Sequence, residues 1–173
     1  MTKNANEDKY KFLCEYQKIQ FEDEKSQYFK LEDKSSKYLS FLNLFIPLYS
    51  FCFSYYLKGL VENCSLIVIF LFFIFTLSIL TFISAWSFIF RSLKLMSIPK
   101  MPSDQELMKV YYKYSLEEIY LYTADRYRQA IDVYKEVNNQ KIDLINIAYK
   151  EITFGSFCFM LSVLLIIIIK VYI

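Results

Sequence analysis

The chain has 173 residues, 55% of them hydrophobic and 20% aromatic, with 22% charged, a formal net charge of +2 and a mean hydropathy of +0.25. So many aromatic residues with only 2 Gly and 3 Pro exclude a disordered chain. The absence of His excludes histidine-ligated metals and Ser–His triads, and two glycines, Gly59 and Gly155, are too few for a glycine-rich phosphate loop.

Residues 1–37 are polar and dense in charge. No apolar core follows Met1 and no small-residue cleavage site is present, so no signal peptide is expected. Gly and Pro are missing from 6–36, and Glu7 with Lys11 and Asp33 with Lys37 stand in the favourable i,i+4 order. The spacing predicts an N-terminal helix with a break at Ser35-Ser36. Phe12, Tyr16 and Ile19 form a short apolar stripe on it. The cluster Glu22-Asp23-Glu24 reads as a solvated face.

Three uncharged runs follow: 38–57, 64–90 and 152–169. A bilayer core of ~30 Å needs about 20 helical residues, so each run is long enough to cross it. The expected fold class is therefore an all-α membrane protein: three transmembrane helices with a cytoplasmic helical bundle or stalk. Its parts are an N-terminal helix (1–37), TM1 (38–57), a short outer loop (58–63), TM2 (64–90), a linker with long helices (91–151), TM3 (152–169) and an outer tail (170–173). Eight Lys precede the first run and ten Lys or Arg lie within 91–151, against Lys58 and Lys170 elsewhere. The positive-inside rule then puts 1–37 and 91–151 in the cytoplasm of a bacterial inner-membrane protein and the C-terminus on the far side.

Within the first run, Ser40, Asn43, Pro47, Ser50 and Ser54, preceded by Ser36, recur at spacings of four and three and so share one helix face. Small, weakly polar residues let helices approach and bond across an interface. The stripe is a candidate for helix packing, or for lining a water-permeable path in an oligomer. Pro47 is expected to kink the helix. Thr81, Ser84 and Ala85 make a smaller patch in the second run, and Gly155 and Ser162 in the third. The single Trp, Trp86, is placed as an interfacial anchor.

Pro99 and Pro102 end the helix of the second run. Two capping boxes follow, Ser103 with Glu106 and Ser115 with Glu118. They predict a short helix, a break near Tyr114, and a long helix running into the third span. In the long helix, Tyr120, Ala124, Tyr127, Ile131, Tyr134, Asn138, Lys141, Ile145 and Ala148 form a heptad seam. The seam packs against the N-terminal helix of the same chain or joins subunits.

No Asp, Glu, Lys, Arg or His lies inside any run, which counts against a coupled transporter. Glu117-Glu118 and Asp125 form no catalytic set, and Arg126 and Arg128 read as a solvated face, so neither an enzyme nor nucleic-acid binding is expected. Cys14, Cys52, Cys64 and Cys158 form no CxxC pair, and no metal, cofactor or disulfide is expected.

From the second run onward the layout resembles small bacterial membrane effectors of anti-phage defence, SLATT-like proteins with a long cytoplasmic helix. The matching residues are Ile98-Pro99, Met101-Pro102, 115–118, Ala130, Asn138, Lys141, Leu144 and Ala148. This chain has a third span in addition. The resemblance implies an antiviral, abortive-infection effector that assembles as a homo-oligomer in membrane lipid. It would open a pore or disturb the membrane when its cytoplasmic helices receive a signal or a partner encoded nearby. The alternative is an anchor or scaffold that recruits a soluble cytoplasmic effector and leaves the membrane sealed.

Overall fold

The computed structural model describes residues 2–60, 66–94 and 105–172, with side chains for 7–51, 53–55, 66–94, 108, 109 and 111–169. The described residues form four helices: α1 (Thr2–Leu60), α2 (Leu66–Leu93), α3 (Gln105–Lys113) and α4 (Leu116–Tyr172). Among the described residues there is no strand. Helices α1, α2 and α4 are long and apolar enough to cross a membrane. The expected all-helical class stands, and so do the break near Tyr114 and the unbroken run of α4 into the third apolar stretch.

The break expected at Ser35-Ser36 does not form, and α1 is helical through it. Ser35 is buried and its hydroxyl accepts a 2.8 Å hydrogen bond from Ser92 Oγ. A serine engaged across an interface does not compete for its own backbone. The helix also continues through Pro47. Pro47 has no N–H to give the Asn43 carbonyl. Buried Leu42 and Tyr49 on either side of it hold the helix by packing. Cys64 and the box residue Ser103 lie outside the described residues, as do the side chains of Cys52 and Glu106.

The chain divides into two compact units. The first comprises Met1–Leu31 and Leu95–Lys141. In it α4 packs on the arm of α1 through Phe21, Tyr28, Val133, Tyr134 and Val137. The rings meet edge-on or tilted: Phe21 lies 5.5 Å from both Tyr127 and Tyr134, and Tyr28 lies 5.8 Å from Tyr134. Each such pair adds about 0.5–1.5 kcal/mol beyond the area it buries.

The second unit comprises Glu32–Lys94 and Ile142–Ile173. It holds α2 with the later part of α1 and the last part of α4. The buried side of α2 includes Val68, Leu71, Phe75, Ser78, Phe82, Ala85, Ile89 and Ser92, alternately three and four apart. That is a heptad seam. Every helix pair is joined by a polar contact. Ser92 donates to Ser35, and Trp86 Nε1 donates to Asn43 Oδ1 at 2.7 Å. Ser78 Oγ donates to the Gly155 carbonyl at 3.0 Å, and the Tyr49 hydroxyl meets Ser162 Oγ at 3.3 Å. Interhelical bonds of this kind average ~0.6 kcal/mol in a bilayer, so they align the helices more than they bind them. The mass of contact is aromatic, with Tyr49 at 4.7 Å from both Phe75 and Phe159, and Phe45 at 5.2 Å from Phe82.

Candidate functional site

Two groups of residues carry the functional expectations, one in each unit. In the first unit the α4 seam is filled. Ala124, Ile131, Tyr134, Asn138 and Lys141 are buried, and Tyr120 and Tyr127 are half-buried. The seam faces the α1 arm of the same chain, so a second copy reaches Tyr134, Asn138 or Lys141 only after α1 moves. Further along α4, in the second unit, Ile145 and Ala148 are buried too.

At the polar point of the seam, Asn138 is 1% exposed and Lys141 3%. Asn138 Nδ2 donates at 3.0 Å to both the Glu24 carbonyl and a Glu24 carboxylate oxygen. Asn138 Oδ1 is buried with no hydrogen-bond partner. Lys141 Nζ lies 4.0 Å from the centre of the Tyr28 ring, a cation–π contact away from bulk water. The solvated acidic cluster is thereby corrected in part. Glu22 and Asp23 are exposed, but Glu24 is half-buried and bonded to α4. Its partner lies 114 residues away, which no local pattern announces.

The Phe12–Tyr16–Ile19 stripe does not enter this core; these side chains are 71%, 51% and 57% exposed. On α3, Tyr112 is 85% exposed. Burial is the first cause that raises the Tyr127 and Tyr134 hydroxyls above their ordinary values. The Cys14 thiol is raised likewise, by burial and then by Glu15, with Lys18 pulling it back.

The start of α4 carries the Glu118 half of the expected capping box, and the Ser115 hydroxyl turns to the same carboxylate. The Ser115 amide and hydroxyl donate to one Glu118 carboxylate oxygen at 2.9 and 3.0 Å. These bonds hold the Glu118 carboxyl below its ordinary value. A lowered carboxylate stabilises the fold fully above its unfolded pKa and loses that contribution as pH falls through the folded one. The first turn of α4 is therefore expected to fray in acid before the rest of the helix. Amide exchange at 116–119 read against 131–137 at neutral and acid pH checks this. Exchange that stays equally slow at both pH values contradicts it.

Arg126 and Arg128 are held within the helix surface. Arg126 donates to the Tyr122 hydroxyl through Nε and through a terminal nitrogen, and Arg128 pairs with Asp125 at 3.0 Å. Lys37 and Asp33 form the expected exposed pair. Among the described residues no group of His, Cys, Asp or Glu is arranged to hold a metal ion.

In the second unit the stripe Ser40, Asn43, Pro47, Ser50, Ser54 is not packed inside the chain. All but half-buried Ser50 are exposed, while Leu42, Tyr49 and Phe53 fill the interface. Ser50 Oγ returns to the Ile46 carbonyl at 2.9 Å, and Asn43 is tied to Trp86. Trp86 thus serves as a bonding partner for α1. The small patch of α2 and that of α4 do meet. A Cβ placed on Gly155 would lie 2.6 Å from Thr81 Oγ1 and 3.1 Å from the Phe82 ring.

Two rows went unread in the sequence. Ser35, Leu42 and Tyr49, seven apart, are buried on α1. The α2 seam had one signal, the sevenfold spacing of Ser78, Ala85 and Ser92. No family model, curated protein or solved structure matches the chain.

Proposed function

We propose that the chain is a three-span inner-membrane protein that assembles with copies of itself and permeabilises or disturbs the membrane. The signal or partner arrives at its cytoplasmic helices, as the SLATT-like layout implies. Lys and Arg placement puts 1–37 and 91–151 in the cytoplasm. The observation that carries the reading is the outward face of α1. Ser40, Pro47 and Ser54 are exposed on one face of α1, while Leu42, Tyr49 and Phe53 of the same helix are buried. Weakly polar groups facing lipid gain partners when a second copy, or a water path between copies, covers them.

The test is permeability. Expression of the full chain with its activating partner in bacterial cells is expected to admit a membrane-impermeant dye and collapse the membrane potential. Membranes that stay sealed after verified activation overturn the reading. An anchor reading is favoured by one observation, the exposed Phe12, Tyr16, Ile19 and Tyr112 in the first unit. These would dock a soluble protein. Under that reading the partner co-purifies, Phe12→Ser/Ile19→Ser releases it, and the membrane stays sealed throughout.

A further inference from the structure

In the first unit the arm of α1 and α4 run in the same direction. Phe21 meets Tyr127 and Tyr134, and Tyr28 meets Tyr134 and Lys141. Two aromatic side chains seven residues apart thus enter a row on α4 with the same spacing. Between them Glu24 accepts both bonds from Asn138 Nδ2. The seam therefore reads a pattern: an aromatic residue, a hydrogen-bond acceptor three residues on, and a second aromatic four residues later.

The arm fits that pattern incompletely. Asn138 is 1% exposed, and its Oδ1 has no hydrogen-bond partner among the described residues. A buried amide oxygen without a donor costs free energy that a better occupant recovers. A carboxylate at the Glu24 position only accepts, whereas a side-chain amide there accepts from Nδ2 and donates to Oδ1. The arm is also fastened over a short length, since Phe12, Tyr16 and Ile19 before Phe21 are exposed.

We propose that the α4 seam from Tyr127 to Lys141 is the docking site for a helix of a cytoplasmic partner protein, and that the arm of α1 is its displaceable, autoinhibitory cover. The partner helix carries two aromatic residues seven apart with a glutamine in place of Glu24. The added bond to Asn138 is what favours it over an arm that is tethered and so present at high effective concentration. A second α4 is a poor occupant, because a parallel pair sets Lys141 against Lys141. The arm of a second copy offers only the groups of the resident one. The inference rests on the reading that a partner acts at the cytoplasmic helices, and it names the surface on which that partner lands.

The probes are two fluorescent peptides of residues 17–31, one unchanged and one with Glu24→Gln, added to the full chain in detergent. The Gln peptide is expected to bind the parent chain more tightly than the unchanged one, and Asn138→Leu in the chain is expected to abolish the preference. Tyr28→Ala loosens the resident arm, so both peptides are expected to gain about tenfold or more in affinity. Phe21→Ala reads the same gain if Tyr28→Ala loses helix content. Equal binding of the two peptides, a preference that survives Asn138→Leu, or affinity indifferent to Tyr28→Ala and Phe21→Ala overturns the proposal.

A cross-link tests the cover itself. With Cys14, Cys52, Cys64 and Cys158 replaced by alanine, oxidation of the Glu24→Cys/Asn138→Cys chain is expected to give an internal bridge that excludes both peptides. Bridged dimers mean that the seam takes the arm of a second copy, and they overturn the proposal. Peptide binding on these terms by a chain whose membranes stay sealed supports the docking site and fails the permeability reading alone.

Discussion

Gly155→Ala is expected to destabilise the second unit by about 1–3 kcal/mol, the usual cost of forcing extra volume into a packed interface. The added Cβ meets Thr81 Oγ1 at 2.6 Å, and that oxygen is already bonded to the Ser78 carbonyl at 2.8 Å. Thr81 is β-branched and stiff at χ1, so it cannot turn aside without giving up that bond. Removing the obstruction identifies the cause. Thr81→Ala/Gly155→Ala is expected to recover part of the loss, and the Phe82 ring at 3.1 Å accounts for the rest. Thermal unfolding of the full chain in detergent reads both. A Gly155→Ala protein that melts like the parent, or a double variant that melts below the single one, contradicts the close approach of α2 and α4.

The second large effect is expected at Tyr28. It is 5% exposed, packs edge-on against Tyr134, and offers its ring face to Lys141 Nζ. Tyr28→Ala removes a buried aromatic, which costs about 3–5 kcal/mol. It also leaves a buried ammonium without its ring. Tyr28→Phe keeps the face and is expected to cost about 1 kcal/mol, the worth of one hydroxyl's hydrogen bonding. Lys141→Met is the informative control. Met keeps the apolar stem of Lys141 and removes only the charge that faces the Tyr28 ring. Lys141→Met is therefore expected to lose less stability than Tyr28→Ala. Equal losses for Tyr28→Ala and Tyr28→Phe would show that the ring is not what holds the arm to α4.

The legible parts of the fold were those written locally. Ser115 and Glu118 are three residues apart, and the bond from the Ser115 amide to the Glu118 carboxylate forms where the spacing places it. The α4 seam stands out because charged residues flank it, so a period shows against a polar background. The spacing alone leaves its partner open between this chain and another; in the structure Tyr134 and Asn138 contact α1.

The α2 seam failed to show for the opposite reason. In a helix with almost no polar residues, buried and exposed positions are chemically alike, and Phe72 and Phe75 differ only by what they face. On α1 the serines misled in two ways. Ser35 was read as a helix break but is a bonding residue at the α2 interface. The stripe from Ser40 to Ser54 drew attention to the outward face and away from Leu42 and Tyr49, which do the internal packing.

The assembly of the chain is the point on which the rest depends, and the mass of the full-length protein, freed of its bound detergent, tests it most directly. Light scattering or native mass spectrometry is expected to give one discrete closed oligomer of about four or more subunits, enough to close a ring. A single subunit would contradict the account, since Ser40, Pro47 and Ser54 would then face lipid with nothing to cover them.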